Sequence, residues 1–277
     1  MRKVRIRHNR GPAVFAFLFP ESVTWRAKSE PLRRKNLLMS KRRIILALSG
    51  LSILLGLGQH EAAAQSTLMN VPSTDVVAAK KVYVEMDFLT NYAWQRKDSF
   101  QNYIPRAVVG VARNVEVGAN ISFTHVSGQQ LPIEVQPNVK WQFYSNEGAG
   151  TAAAVGCILY APITHRAGTD TLGQCYVVGS KRVSGRFGPR FTGGGFALLG
   201  AGADQQTKGG AIVGYEQPLA KRVSFLVDWF SGDNRFGYVS PGISITTSKT
   251  TALTTGYAIA NHGRGKNALF IYYGKQF

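Results

Sequence analysis

Apolar and polar residues alternate over short segments throughout residues 81–277. The clearest segment is 115–123, where every odd position is apolar and Glu116, Asn120 and Ser122 are among the even ones. Side chains of a β-strand point alternately to its two faces, so this period predicts strands with one apolar and one polar face. Division of the region at its turn residues gives twelve such strands and no helical run.

The final segment of the chain ends on an aromatic residue, and most of its apolar side chains share one face. These are Leu269, Ile271, Tyr273 and Phe277. Such a strand is typical of bacterial outer-membrane barrels, which carry aromatic residues at the membrane interface. Lys275 interrupts the apolar face. We expect periplasmic chaperones and the barrel-assembly machinery to bind the protein through this strand.

These patterns predict an all-β protein, namely a transmembrane antiparallel up-and-down β-barrel of twelve strands. An even number of strands is what a single-chain bacterial barrel requires when both chain ends lie in the periplasm. A soluble sandwich of two sheets would bury the same apolar faces. The aromatic terminus, the charges in the middle of the polar faces and the aromatic residues near strand ends favour the barrel.

The N-terminal part has the three features of a secretory signal peptide in the right order. Residues 40–43 are basic, residues 44–57 are apolar apart from two serines, and three alanines precede Gln65. This pattern predicts a signal peptide over 39–64 that is cleaved between Ala64 and Gln65. A membrane-spanning helix would need about 20 apolar residues, more than this core contains.

The remaining divisions of the chain follow from these two regions. Residues 1–38 show neither strand alternation nor a helical face, so we interpret them as a non-native extension, with translation starting at Met39. Residues 65–80 are expected to form a periplasmic linker. Residues 81–277 are expected to form the barrel.

The formal net charge of +18 is divided between the leader and the rest of the chain. Residues 1–64 hold 13 Lys and Arg against 3 Asp and Glu, and residues 65–277 hold 20 against 12, which gives +10 and +8. Nucleic-acid binding needs basic residues gathered on one face or stretch. Those of residues 65–277 are scattered, so we expect no nucleic-acid partner.

Charged and amide side chains on the polar faces predict a lumen. The lumen-lining candidates are Glu85, Asp87, Arg106, Glu116, Asn120, Asn138, Lys140, Gln142, Glu216 and Asp228. Their mixed signs favour internal ion pairs over strong ion selectivity. Twelve strands enclose more space than a filled eight-stranded barrel and less than a sixteen-stranded porin, so a narrow passage for small solutes is expected.

The two cysteines flank one predicted loop-side hairpin at equal distances from residue 166. Cys157 and Cys175 would therefore lie opposite each other on neighbouring strands, both on the apolar face. A disulfide formed in the oxidising periplasm is one interpretation. Two free thiols that face lipid are the other.

Residues suited to catalysis or metal binding are few. The histidines downstream of the leader, His125, His165 and His262, fall in different loops, and no His or Cys pair has ligand spacing. We assign no catalytic residue, metal or cofactor. A hydrolase at the outer leaflet, which would need a nucleophile, a base and an orienting acid in hydrogen-bond reach, stays as an alternative.

Three segments resemble a known family. They are residues 110–118 (GVARNVEVG), 214–219 (GYEQPL) and 228–232 (DWFSG). They resemble the outer-membrane barrel family named for the MetA pathway of phenol degradation, and the rhythm of residues 81–277 is similar to that of its members. The resemblance implies a barrel that passes small, often aromatic compounds, and it assigns no binding residue.

Together these features predict a porin-like barrel in the outer membrane of a Gram-negative bacterium. It would act in the lipid bilayer as a passive channel or uptake route for small, possibly aromatic or hydrophobic, molecules. A structural or adhesive barrel with a closed lumen is the alternative beside the outer-leaflet hydrolase.

Overall fold

The computed structural model describes residues 67–91, 99–167, 169–202, 205–261 and 266–277. The signal peptide with its cleavage site at Ala64 and Gln65, the extension over 1–38 and His262 lie outside the described residues. Within the described part of the chain, no helix is both long and apolar enough to cross a membrane.

Twelve antiparallel strands form one closed barrel, as the alternation predicted. They are β1 (Val82–Thr90), β2 (Phe100–Ala112), β3 (Val115–Val126), β4 (Glu134–Asn146), β5 (Thr151–Pro162), β6 (Leu172–Arg182), β7 (Arg190–Leu199), β8 (Gly209–Ala220), β9 (Val223–Phe230), β10 (Tyr238–Thr246), β11 (Thr251–Ala260) and β12 (Ala268–Gln276). Each strand pairs with its neighbours in the chain, and β1 pairs with β12, for example Met86 with Tyr273. Closure leaves no free edge for aggregation.

The two ends of the barrel differ in their connections. At one end, which we call the turn end, most connections are tight turns such as 113–114 and 221–222, and the exception is 183–189 between β6 and β7. At the other, the loop end, the connections are longer, for example 127–133 and 231–237. The last residue lies at the turn end, where the Phe277 N–H donates to the Val82 carbonyl.

The outward face of the barrel is apolar and remains exposed. Val84, Met86, Val117 and Ile121 are examples, each more than a third exposed. Outward aromatics lie near both ends: Trp141, Phe191, Tyr273 and Phe277 near the turn end, and Tyr103, Phe123, Trp229 and Tyr257 near the loop end. An apolar band between two aromatic girdles is the surface that membrane barrels present to lipid.

Cys157 and Cys175 are direct register partners on β5 and β6. Their Cα atoms are 4.1 Å apart and the structure joins them in a disulfide. They share the outward face with Leu159 and Val177, both exposed. The pair therefore links two neighbouring strands on the side of the wall that faces away from the lumen.

Reduction of this disulfide is expected to destabilise the barrel modestly. It closes a loop with a sequence separation of 18, for which the chain-entropy estimate is about 3 kcal/mol. The check is the urea midpoint of the protein in detergent with and without reductant. The double variant C157S/C175S is the control, and a shift of its midpoint by reductant would contradict the assignment to this disulfide.

Candidate functional site in the barrel lumen

The ten residues predicted to line a lumen all lie on the inward face of the barrel. Eight of them come from β1 to β4, Glu216 comes from β8 and Asp228 from β9. Glu85, Glu116, Lys140 and Asp228 are almost completely buried. Their burial shows that in this structure the lumen is filled at their level.

A polar network runs along the inner wall of β1 to β4. Its centre is Arg106, whose Nη1 lies 2.9 Å from Glu85 Oε1 and 3.3 Å from Asp87 Oδ2. The Arg106 Nε donates to Asn120 Oδ1, and the Asn120 amide donates to Gln136. Alternation places these side chains on the same face of adjacent strands, which is why residues distant in sequence form one network.

The network continues to the loop end through Glu134. Gln136 Nε2 donates to Glu134 Oε1 at 2.7 Å. Both oxygens of Glu134 accept hydrogen bonds from the Arg235 guanidinium at 3.0 Å. Arg235 belongs to the connection 231–237 and stacks over the Tyr160 ring at 4.8 Å. The Arg235 side chain thus reaches into the mouth of the barrel and is fixed from two sides.

The opposite inner wall, from β5 to β12, is largely apolar, which the sequence analysis did not predict, and its buried polar residues, such as Gln174, Asp228 and Ser240, are set among apolar ones. One cluster on this side of the lumen comprises Leu68, Val71, Ala154, Tyr160, Leu172, Tyr176, Val178, Phe196, Leu198, Ile212 and Phe230. A second comprises Met69, Leu226, Ala258, Phe270 and Tyr272. The lumen is therefore two-sided, with a polar wall facing a largely apolar one, and is not lined by polar groups throughout.

Both clusters include residues that precede the first strand. We predicted a periplasmic linker over 65–80, and the structure corrects this for the described part: residues 67–77 lie inside the barrel. Residues 67–77, with Ala78 and Ala79 that lead to β1, are called the plug below. Leu68, Met69 and Val71 are at most 3% exposed. The physical reason is that these apolar side chains complete the clusters of the apolar wall, which would otherwise be exposed to water.

A single carboxylate anchors the middle of the plug. Asp228 Oδ2 accepts hydrogen bonds from the backbone N–H groups of Met69, Asn70 and Val71 at 3.2, 2.7 and 2.8 Å. Three successive N–H groups around one anionic oxygen form a nest, an arrangement that favours negative charge. The Asn70 side chain adds bonds to Ser240 and from Tyr272.

The turn-side half of the plug is held by ion-paired groups of the wall. Glu116 Oε1 lies 3.0 Å from Lys140 Nζ, and its Oε2 accepts the Val77 N–H at 2.7 Å. Asp75 pairs with Arg190, which also contacts Glu216 at 2.9 Å.

The ionisation of the Asp75 carboxyl group supports its ion pair with Arg190. Burial alone would raise the pKa of Asp75, but the Arg190 guanidinium, with Lys140 and Arg182 farther away, holds that pKa below its usual value. Because a lowered pKa keeps the carboxyl group charged, this ion pair is retained until the pH falls below the normal range of an aspartate.

Glycines of the wall make room for the plug at two positions. A Cβ on Gly110 would lie 2.1 Å from the Ala78 carbonyl oxygen, and one on Gly242 would lie 2.8 Å from the Met69 sulfur. Larger residues at these sites would therefore displace the plug. A glycine within a strand indicates that another segment approaches the wall closely at that position. The sequence alone does not identify that segment.

A cavity of about 290 Å³ remains on the loop side of the plug. Its floor is formed by Thr67, Met69 and Asn70 of the plug. A second space, of about 330 Å³, lies beyond it at the loop end, and Arg235 lines both. From the loop end, the structure thus has a vestibule, an inner cavity that shares Arg235 with it, and a plug.

The described residues contain no group of three or more His, Cys, Asp and Glu side chains placed to hold a metal ion. His125 lies in β3 opposite Gln101, whereas His165 lies in the connection after β5. The structure does not bring these two histidines together with the buried carboxylates of the network into one site.

Comparison with known proteins gives structural similarity only. No protein-family model matches the chain, and no curated protein matches it. Similar solved structures include the KdgM porin, with 8% identity and a TM-score of 0.47 over 70% of this chain and 98% of that one. Another is an outer membrane channel from Pseudomonas putida F1, with 11% identity and a TM-score of 0.47 over 73% and 97% of the two chains. The resemblance to the MetA-pathway family is not confirmed by a family model, so function has to be inferred from the geometry of this barrel.

Proposed function

We propose that this protein is a passage for small solutes across the outer membrane and that the plug closes the passage in the present conformation. The observation that carries the proposal is the inner cavity. It lies inside a closed barrel with a lipid-type outer surface, and the plug that forms its floor is not a strand of the wall.

This arrangement allows opening without damage to the barrel. Every strand already pairs with two neighbouring strands, so the backbone hydrogen bonds of the wall do not depend on residues 67–77. Withdrawal of the plug breaks side-chain hydrogen bonds, ion pairs and apolar contacts, but beyond the bridge of Ala79 to Gly110 it breaks no pairing with a strand. A lid of this kind is the usual origin of gating in a rigid scaffold.

The proposed location follows from the surface and the chain ends. The exposed apolar band requires lipid, and the predicted signal peptide provides export. We further propose that the C-terminal strand is recognised by the assembly machinery, since Ile271, Tyr273 and Phe277 are exposed on its outward side.

A barrel with a permanently closed lumen is the second candidate. The density of bonds to the plug favours it, because Asp228, Glu116 and Arg190 each hold a separate part of the segment. The inner cavity favours the passage, because a purely structural barrel does not require a cavity that is reached through a vestibule.

Conductance decides between these two functions. The full chain would be expressed in a Gram-negative host, purified from the outer-membrane fraction and inserted into a planar bilayer, with heat-modified gel mobility as the test of folding. Discrete opening steps, brief because the plug is seated most of the time, are the expected result. A folded barrel without steps, both with its plug and with the plug replaced as described in the Discussion, would overturn the passage.

A further inference from the structure

Exposed basic side chains are gathered at the turn end of the barrel. They are scattered along the sequence, but alternate connections of an up-and-down barrel lie at the same end, so closure brings these residues together. We call the set the basic ring. It comprises Lys80, Lys81, Arg113, Lys181, Arg182, Arg186, Lys221, Lys249 and Lys275.

Acidic side chains do not balance the ring. The turn-end connections contain seven Lys and Arg against one acidic residue, Glu147; these connections are 78–81, 113–114, 147–150, 183–189, 221–222 and 247–250. The loop-end connections, counted over their full sequence, contain seven Lys and Arg against four Asp; they are 91–99, 127–133, 163–171, 200–208, 231–237 and 261–267. Among the residues that the structure describes, no member of the basic ring forms an ion pair. The turn end therefore presents an uncompensated positive surface.

Two members of the ring lie on the lipid-facing wall itself. Lys181 lies outward on β6, and its register partner on β7 is the exposed Phe191. Lys275 lies outward on β12, where its register partner is the exposed Val84 and its ammonium group is 4.6 Å from the centre of the Phe277 ring. A lysine in such surroundings lays its aliphatic stem along the apolar surface and keeps its charge at the level of the lipid head groups.

The connection 183–189, the longest between two strands at the turn end, combines the same features. Its Val183 and Phe187 side chains are 44% and 40% exposed. The Arg186 guanidinium lies 5.2 Å from the centre of the Phe187 ring. The Phe187 carbonyl accepts a hydrogen bond from the Gln217 side chain, which holds the connection against the end of β8. Exposed apolar side chains combined with Lys and Arg are the features that bind anionic membrane surfaces.

From these observations we infer that the basic ring binds the phosphate head groups of anionic phospholipids in the leaflet at the turn end, with Lys181 and Arg186 of the β6–β7 hairpin as its main contacts. Lipid is the occupant because Lys181 and Lys275 stand beside residues of the apolar band, where a soluble polyanion would have to approach the acyl chains. The inference rests on the membrane location in the proposed function and not on the passage, and it goes beyond both because it assigns the charge of the bound lipid.

Quenching of tryptophan fluorescence by brominated lipids measures which lipid contacts a given point of the wall. Phe191→Trp, in the full chain with its other tryptophans replaced by phenylalanine, is the turn-end reporter. Trp229, with the other tryptophans replaced in the same way, is the loop-end reporter, since it lies outward near that end. Each protein would be reconstituted in phosphatidylcholine that contains brominated phosphatidylglycerol or brominated phosphatidylcholine.

The two reporters should differ in their response to charge. At low salt we expect phosphatidylglycerol to bind beside the turn-end reporter at least about fivefold more tightly than phosphatidylcholine, the effect of one basic residue near an anionic lipid. At about 1 M salt this preference should be lost, because exposed charges are then screened. The loop-end reporter should show nearly equal binding of the two lipids at both salt concentrations.

Two double variants tie the preference to the named residues. Lys181→Gln with Arg186→Gln removes two positive charges of the basic ring and should bring the two lipids close to equal binding at the turn-end reporter. Arg166→Gln with Lys208→Gln removes two exposed positive charges at the loop end and is the matched control. It should leave the preference unchanged. Heat-modified gel mobility establishes that each variant is folded.

Several outcomes would overturn the inference in folded protein. They are equal binding of the two lipids at the turn-end reporter, the same preference at both reporters, and equal effects of the two double variants. If the lipids bind equally while a soluble polyanion, a heparin fragment, changes the fluorescence of the turn-end reporter, the basic ring binds a soluble partner instead. Conductance is a separate result, because a barrel that never conducts can still show the lipid preference and one that conducts can lack it.

Discussion

Replacement of residues 67–77 by a Gly/Ser sequence of equal length is expected to convert brief openings into a continuously open channel. The replacement keeps the spacing from the predicted cleavage site and removes the side chains with which residues 67–77 of the plug fill the lumen. Leu68, Met69 and Val71, each at most 3% exposed, contribute the apolar contacts of the plug. Each such side chain contributes roughly 1.5–3 kcal/mol on burial, so their combined loss unseats the segment.

A substitution of Asp228 tests separately whether the plug is the gate, because Asp228 belongs to the wall and holds the plug through hydrogen bonds. Asp228→Ala removes the acceptor of three backbone N–H groups. Each N–H left unsatisfied costs about 1–3 kcal/mol, although water reaches part of them once the plug loosens. We expect a net loss of about 2–3 kcal/mol, which changes the ratio of docked to undocked plug roughly 30- to 160-fold.

Single-channel recording provides the measurement for both changes. The expected order of open probability is Gly/Ser replacement, then Asp228→Ala, then Asp228→Asn, then the wild type. Ser244→Ala is the control, since Ser244 bonds Thr254 within the wall. If the replaced barrel is folded by gel mobility and conducts no more than the wild type, the plug is not the gate.

Lys140→Met is expected to destabilise the folded barrel by about 3–5 kcal/mol, because removal of one partner leaves the other charge buried without its counter-ion. Lys140 and Glu116 are 2% and 1% exposed at their side chains and 3.0 Å apart. Methionine fills similar space, so packing changes little. The lost counter-ion is therefore the cause of the effect.

Urea unfolding in detergent micelles measures this loss, and a double variant assigns it. In K140M/E116Q the carboxylate is removed as well, so the double variant should be more stable than Lys140→Met alone. Lys181→Met, at an exposed position of β6, should change stability by no more than about 0.5 kcal/mol. A double variant that is less stable than the single one would show that Lys140 acts through packing and not through Glu116.

The fold was predictable because a barrel wall is governed by local alternation. In β3, Val117, Ala119, Ile121 and Phe123 are apolar and exposed, whereas Glu116, Asn120 and Ser122 are buried. This follows from period-two geometry wherever one side of a sheet faces lipid and the other does not. The same rule placed Glu116, Lys140 and the other eight candidates on the inward face without any knowledge of what lies inside.

The contents of the lumen were not predictable from alternation. Strand β12 carries Phe270 and Tyr272 inward and Ile271 and Tyr273 outward, so it reads as a continuous apolar run. Such a run indicates that neither face of the strand contacts water, but it does not indicate which residues cover the inner face. The covering segment, Leu68 to Val71, is too short to show any period of its own.

The sequence by itself therefore determined the wall of this protein: twelve strands, their two faces, the position of Cys157 opposite Cys175 in one hairpin, and the inward set of charges. Only the tertiary structure decided that these cysteines form a disulfide, that the plug occupies the lumen, that Asp228 holds it and that one inner wall is largely apolar. The reason is physical. Strand periodicity is a local property that each residue shares with its neighbours, whereas the plug is specified by contacts between residues such as Val71 and Asp228, which are 157 positions apart and which no local pattern connects.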